Sequence, residues 1–282
     1  MISLNAHAKI NLSLDVLGRR EDGYHTLQMI MQTIQLHDTI SIHEIPAGVE
    51  IKCEAPFVPN NSSNIAYKAA EAMLNKFNIN SGVRIEVNKN IPVAAGLAGG
   101  STDAAAVLKG INSLFDLGIE QSELMELGKT IGADVPYCIM GGTALAEGIG
   151  EELTPLAAAG NIPLVLVKPR IGVSTAWVYK NLNLSRVIQR PDTGRLISAL
   201  ETGDIKTVAA DMRNVLESVT TEKYKVIELI KKDLLKLGAL GSMMSGSGPT
   251  VFGIFENVQK AEYAFNKLKS GKHECILTHT VN

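Results

Sequence analysis

The chain has 282 residues, 45% hydrophobic and 20% charged, the composition of a globular protein able to bury a real core. That excludes disorder, collagen and coiled coil, and the length suggests two domains of roughly 100–200 residues each. Twenty-seven basic residues against 29 acidic ones leave a net charge of −2, so no global field draws the chain to nucleic acid or lipid. Cys53, Cys138 and Cys275 form no CxxC and no zinc spacing, which argues for a reducing compartment and no structural metal. The N-terminal residues do not read as a signal peptide, and the purest apolar run, Leu164–Val167, is far below the ~20 residues of a membrane helix. A cytoplasmic protein without nucleic-acid or membrane partners is expected, as monomer or homodimer.

Ile2, Leu4, Ala6, Ala8, Ile10, Leu12, Leu14 and Val16 are apolar at every second position, the signature of a long strand with one buried face. The opposite face then carries His7, Lys9 and Asn11. A charged loop, Gly18 to Gly23, leads to further strands at Leu27–Leu36, Thr39–His43, Val49–Cys53 and Val83–Val87. Ser62, Ser63 and Asn64 offer caps for a helix with the stripe Ile65, Ala69, Ala72, Met73 and Phe77. Thr102 and Asp103 offer caps for a second, and Ser122–Ile131 reads as a third. A short strand near Thr143–Glu147 precedes a Gly- and Pro-rich join at Gly148–Pro163. We therefore expect an N-terminal domain over 1–156 and a C-terminal domain over 157–282.

The second half opens on the strand Leu164–Val167. Helices are expected near Thr175–Lys180, Asp192–Leu200, Asp204–Leu216 and Thr221–Leu237, then strand Thr250–Phe255, helix Val258–Lys269 and a last strand near Cys275–Thr280. Strict βαβ alternation is missing, which points to an α+β fold rather than a doubly wound sheet.

Familiar catalytic motifs are absent: Gly128-Lys129-Thr130 ends like a phosphate loop, but Glu123 stands where that motif requires glycine. What remains is Pro92-Val93-Ala94-Ala95-Gly96-Leu97-Ala98-Gly99-Gly100-Ser101-Thr102, between a strand and a helix. Small side chains let backbone N–H groups approach an anion, and a helix N-terminus adds about half a unit of positive charge, so a polyphosphate suits this run. A plain tight turn would have the same composition. Asp134, in Gly132-Ala133-Asp134-Val135-Pro136, reads as a helix cap or turn former, or as a partly desolvated base. Ser245-Gly246-Ser247-Gly248-Pro249 reads by itself as a turn, and Lys9 as a solvated lysine.

In that order, these segments resemble the galactokinase, homoserine kinase, mevalonate kinase and phosphomevalonate kinase superfamily. Ala8-Lys9-Ile10-Asn11-Leu12-Ser13-Leu14 and Gly18-Arg19-Arg20-Glu21-Asp22-Gly23-Tyr24-His25-Thr26-Leu27 narrow the resemblance to members with a cytidyl substrate. The resemblance implies a two-domain α+β fold with an active-site cleft between the domains. It also implies transfer of the ATP γ-phosphate, with Mg2+, to the 2-hydroxyl of an erythritol portion. Asp134 then matches the catalytic base and Lys9 the catalytic lysine. The loop from Pro92 to Thr102 matches the ATP phosphate loop, and Lys89 a nucleotide-side lysine. His25 matches the reader of the cytosine edge, Tyr24 and Tyr179 its stacking partners, and Asn11 a residue lining the substrate site. The family's loop commonly has glycine at Ala94 and Ala98 and serine at Thr102. Alanine there is expected only if φ stays negative. No carboxylate stands out as a magnesium ligand; Ser101 or Thr102 would give one oxygen, with phosphates and water completing the shell.

Overall fold

The computed structural model describes all 282 residues. In chain order it contains β1 (Ile2–Arg19), β2 (His25–Ile45), β3 (Val49–Cys53), α1 (Ile65–Lys76), β4 (Gly82–Asn88), α2 (Gly99–Leu114), α3 (Gln121–Lys129) and α4 (Val135–Met140). There follow β5 (Thr143–Glu147), β6 (Glu152–Pro155), β7 (Pro163–Lys168), α5 (Thr175–Asn181), α6 (Thr193–Glu201), α7 (Ile205–Asp211) and β8 (Arg213–Asn214). The chain closes with α8 (Glu217–Lys223), α9 (Lys225–Lys236), β9 (Gly241–Met244), β10 (Val251–Ile254), α10 (Val258–Leu268) and β11 (Glu274–His279). The α+β class is as expected. Two compact units interleave along the sequence: Met1–Ala8, Leu36–Val93 and Ala98–Gly141 form one, and Lys9–Gln35, Ala94–Leu97 and Gly142–Asn282 the other.

In the first unit, β3 runs parallel to β4 with Ile51 opposite Ile85, and the C-terminal half of β2 runs antiparallel to β4 with Ile42 opposite Ile85. Ile40, Ile42, Val83 and Ile85 meet Ala66, Ala69 and Met73 of α1 and Ala104, Val107, Leu108 and Ile111 of α2 in one core. Asn64 caps α1 by accepting the Ala66 N–H at 2.9 Å. Alanines on both helices let α1 and α2 pack closely against each other. At Gly110 a Cβ would lie 2.5 Å from Ile42 Cδ1 and 2.9 Å from Leu4 Cδ1, so a larger residue would displace those side-chain ends.

In the second unit, β11, β7, β10 and β9 form an antiparallel sheet, with Phe252 opposite both Leu166 and Met243. Helix α9 turns Ile227, Ile230 and Leu234 inward, and α10 buries Ala261 and Ala264. The hairpin β5–β6 pairs with the first half of β2 through Met31 and Ala144. Strand β8 runs parallel to β1, with Ser13 opposite Arg213.

Several local readings change, and the strands expected separately at Leu27–Leu36 and Thr39–His43 are one strand, β2. Strand β1 is buried on both faces from Ala8 to Val16, because its polar side chains are hydrogen-bonded inside: Ser13 Oγ accepts the Ile30 N–H and Asp15 pairs with Arg190. Helix α2 begins at Gly99, ahead of Thr102, with no side-chain cap. The segment expected as one helix over Asp204–Leu216 is α7 followed by the short β8, and the one over Thr221–Leu237 breaks at Tyr224 (φ −118°, ψ 78°) into α8 and α9. Strands β6 and β9 and helix α4 were not anticipated from the pattern, β6 lying within the segment read as a join; at four, four and six residues they are too short to show a period.

Candidate functional site

The small-residue loop departs from its strand with positive φ at every second residue: 52° at Ala94, 77° at Gly96 and 58° at Ala98. Alternation of this kind turns successive N–H groups inward and makes an anion-binding concavity. The expectation that φ stays negative at both alanines is therefore overturned. Each alanine costs about 1–2 kcal/mol in the left-handed region, a strain held by its surroundings. The Ala98 carbonyl accepts the Thr102 N–H at 2.9 Å, and Thr102 Oγ1 donates to the His7 carbonyl at 2.6 Å, pinning the first turn of α2. That bond engages the Thr102 hydroxyl in the interior, whereas Ser101 is only half-buried.

The apex of the loop lies in the second unit against the Ser-Gly-Ser-Gly-Pro turn. Ser245 Oγ donates to the Gly96 carbonyl at 2.9 Å, and the Thr250 N–H to the Ala95 carbonyl at 3.2 Å. The Lys9 N–H donates to the Leu97 carbonyl at 3.2 Å, so β1 holds the same loop from its other side. A Cβ at Gly96 would lie 2.4 Å from the Ser245 carbonyl oxygen, which excludes any side chain. Lys9 and Asn11 are both buried, and Lys9 Nζ donates to Asn11 Oδ1 at 2.9 Å. The turn itself is held by Asn214, whose amide donates to the carbonyls of Met244 at 2.8 Å and Gly246 at 2.7 Å. Three segments read separately from the sequence thus meet at one place.

Also in that unit, His25 and Tyr179 face each other with ring centroids 5.2 Å apart and planes at 31°. Tyr24 is 62% exposed, as suits a stacking surface rather than a core residue. Burial, helped by the positive charge of Arg19, lowers the imidazole pKa of His25 below its ordinary value. Neutral imidazole offers one donor and one acceptor, the pair a base edge needs. Thr175, at the start of α5, shares a 2.7 Å hydrogen bond with Ser247 of the glycine-rich turn.

The first unit holds Lys89, Pro92, Val93, the Ala98–Thr102 end of the loop, and Asp134. Asp134 stands half-buried just ahead of α4 in the right-handed region, and its side chain makes no cap bond to that helix. It thus occupies the N-cap position of α4 without capping it through its side chain. Lys89 is buried between two carboxylates: it pairs with Asp38, and with Asp103 at 2.9 Å. Burial opposes its charge, but Asp103 and Asp38 together raise its pKa. Burial pushes the Asp103 carboxyl up to about 8 despite Lys89, with the Asp38 charge adding to the rise. Asp38, Asn214 and Ser245 were not singled out as site residues from the sequence. Asp38 puts a carboxylate in the middle of a strand, where Asp is disfavoured, which was a usable signal; Asn214 sits on a two-residue strand and gave none.

Two family models match the chain: "GHMP kinases N terminal domain" over residues 64–142 and "GHMP kinases C terminal" over residues 196–273. A protein of Acetivibrio thermocellus named 4-diphosphocytidyl-2-C-methyl-D-erythritol kinase is 58% identical over 99% of both chains. A Clostridium botulinum protein of the same name is 53% identical over 99% of this chain and 100% of its own. Among solved structures, a 4-(cytidine 5'-diphospho)-2C-methyl-D-erythritol kinase superposes with a TM-score of 0.87 at 32% identity over the full length of both chains. A homoserine kinase from Cytophaga hutchinsonii shares the fold, with a TM-score of 0.81 at 21% identity over 100% of this chain and 95% of its own.

Proposed function

Because the chain belongs to the GHMP kinase family and, within it, to the 4-diphosphocytidyl-2-C-methyl-D-erythritol kinases, we propose that it phosphorylates the 2-hydroxyl of that cytidyl substrate with ATP, in isoprenoid precursor synthesis. The observation that carries the nucleotide half of this reading is the alternating positive φ at Ala94, Gly96 and Ala98, a backbone shaped to receive phosphate oxygens. The facing rings of His25 and Tyr179, with exposed Tyr24 beside them in sequence, support the cytidyl half.

In the proposed reaction Asp134 takes the proton of the 2-hydroxyl as its oxygen bonds to the γ-phosphorus. The bond from that phosphorus to the bridging oxygen breaks, and ADP leaves with the electron pair. An alcohol is a poor nucleophile until its proton is accepted, so a positioned carboxylate matters here. Lys9, held by Asn11, supplies positive charge against the developing negative oxygen. The loop supplies position and charge rather than a covalent nucleophile. No cluster of three His, Cys, Asp or Glu side chains suited to a metal is present, and the half-buried Ser101 hydroxyl at the α2 N-terminus is the protein oxygen that fits magnesium beside nucleotide phosphates and water. Magnesium, when bound, would neutralise charge on those phosphates. Asn11 lines the substrate side of the same strand. We place the protein in the cytoplasm, acting on small molecules only; no helix is long and apolar enough to cross a membrane. A division into an N-terminal nucleotide domain and a C-terminal domain near residue 156 belongs to the same proposal.

The test is turnover of ATP with the cytidyl substrate, set against mevalonate and homoserine. Activity confined to the cytidyl substrate supports the reading, and activity confined to a rival overturns its cytidyl half.

A further inference from the structure

The phosphate loop has a fixed entry and a fixed exit, and one buried lysine joins them. At the entry, Asp38 Oδ1 accepts the backbone N–H groups of Asn90 at 2.6 Å and Ile91 at 2.8 Å, immediately before Pro92. At the exit, Asp103 stands on α2 one turn beyond Gly99. Lys89 Nζ donates to both carboxylates, and its side chain is only 8% exposed. Gly99 lets the helix come this close, since a Cβ there would lie 3.2 Å from Lys89 Nζ and 3.1 Å from Ile91 Cγ2. A lysine so enclosed has little surface left for a nucleotide.

We propose that Asp38, Lys89 and Asp103 act as one positioning cluster that sets the span of the phosphate loop, so that Lys89 serves ATP binding through the loop and not by touching the nucleotide. The inference rests on the reading that this loop binds ATP. It goes beyond that reading in assigning Asp38 and Asp103 a part in it, and in giving Lys89 a different one from the nucleotide-side role that the resemblance implies. Asp103 Oδ1 is buried without a hydrogen-bond partner, which a carboxylate tolerates poorly and a carboxylic acid or an amide tolerates better. With its pKa raised to about 8, the Asp103 carboxyl holds its proton at neutral pH and adds no negative charge beside the phosphate loop. Asparagine at 103 reproduces that neutral form and keeps an acceptor for Lys89.

The experiment is a double-mutant cycle on the full chain, with Lys89→Met, Asp103→Leu and both together, plus Asp103→Asn. Binding of Mg·ADP is measured by calorimetry, and KM and kcat with both substrates. Lys89→Met and Asp103→Leu should each weaken Mg·ADP binding by about tenfold, and the pair together by little more than either, because both break one cluster. The cytidyl KM should stay within about threefold, and Asp103→Asn should restore nucleotide affinity. Multiplying effects in the double variant, or Asp103→Leu with unchanged Mg·ADP affinity, would overturn the proposal. If Lys89→Met does not fold, the Asp103→Leu and Asp103→Asn pair still decides it by Mg·ADP affinity alone. A wild-type protein that binds Mg·ADP but ignores the cytidyl substrate would count against the function and not against this cluster.

Discussion

Ser245 Oγ donates a 2.9 Å hydrogen bond to the carbonyl of Gly96, joining positions 149 residues apart in sequence. Gly96 has φ +77°, and the space where its Cβ would stand is taken by the Ser245 carbonyl oxygen at 2.4 Å. Backbone conformation and close approach therefore demand glycine independently. Gly96→Ala should raise the ATP KM by at least tenfold, with smaller effect on the cytidyl KM, since the loop must leave its anion-binding path. Steady-state kinetics with each substrate varied in turn checks this; equal rises in both constants would point to general unfolding.

Asp134→Asn should leave Mg·ADP and cytidyl-substrate binding nearly intact while lowering kcat by ~100-fold or more, the scale of a lost general base. Paired titrations and single-turnover measurements separate the two effects. Unchanged turnover removes Asp134 from the chemistry.

His25 is expected to bind the base as neutral imidazole. Its folded pKa is depressed by burial and by Arg19, so protonation of the folded protein sets in below the ordinary imidazole value. The cytidyl KM should thus be flat through neutral and alkaline pH and rise only as pH falls through that lowered pKa. Tyr24→Ala should raise the same KM at every pH while sparing that of ATP. A rise in the ATP KM instead would place the wrong nucleotide beside Tyr24.

Asp103 makes stability depend on pH with a definite sign. Its carboxyl pKa is raised from 3.8 to about 8 on folding, so between those values the folded state holds a proton that the unfolded state has lost. The stabilisation is complete below about pH 4 and is lost as pH rises through about 8. Urea unfolding of Asp103→Asn should therefore show the variant gaining on wild type from pH 5 to about 8 and levelling off above that. A constant difference across that range would mean Asp103 is ionised throughout.

Much of the fold was legible where a period runs long enough to see. Strand β1 announced itself by alternating apolar residues from Ile2 to Val16, and α1 by Asn64 followed by an apolar stripe. The α8–α9 break at Tyr224 was hidden because no glycine or proline marks it. The start of α2 was misplaced because Thr102 and Asp103 look like caps; their side chains are instead buried, one bonded to His7 and the other to Lys89. The loop's left-handed alanines could not be inferred, since residue type alone opposes that conformation and the bonds from Lys9, Thr102, Thr250 and Ser245 around the loop compensate. Long-range relations were the least readable: nothing near Asn214 in the sequence marks the turn it clamps.

The most direct measurement is ATP turnover by the purified protein with 4-diphosphocytidyl-2-C-methyl-D-erythritol, with and without magnesium, and with mevalonate and homoserine in parallel. Magnesium-dependent turnover of the cytidyl substrate alone, with product phosphorylated at the 2-hydroxyl, is the predicted result. Turnover of mevalonate or homoserine in its place, or none with the cytidyl substrate by a protein that binds Mg·ADP, would contradict it.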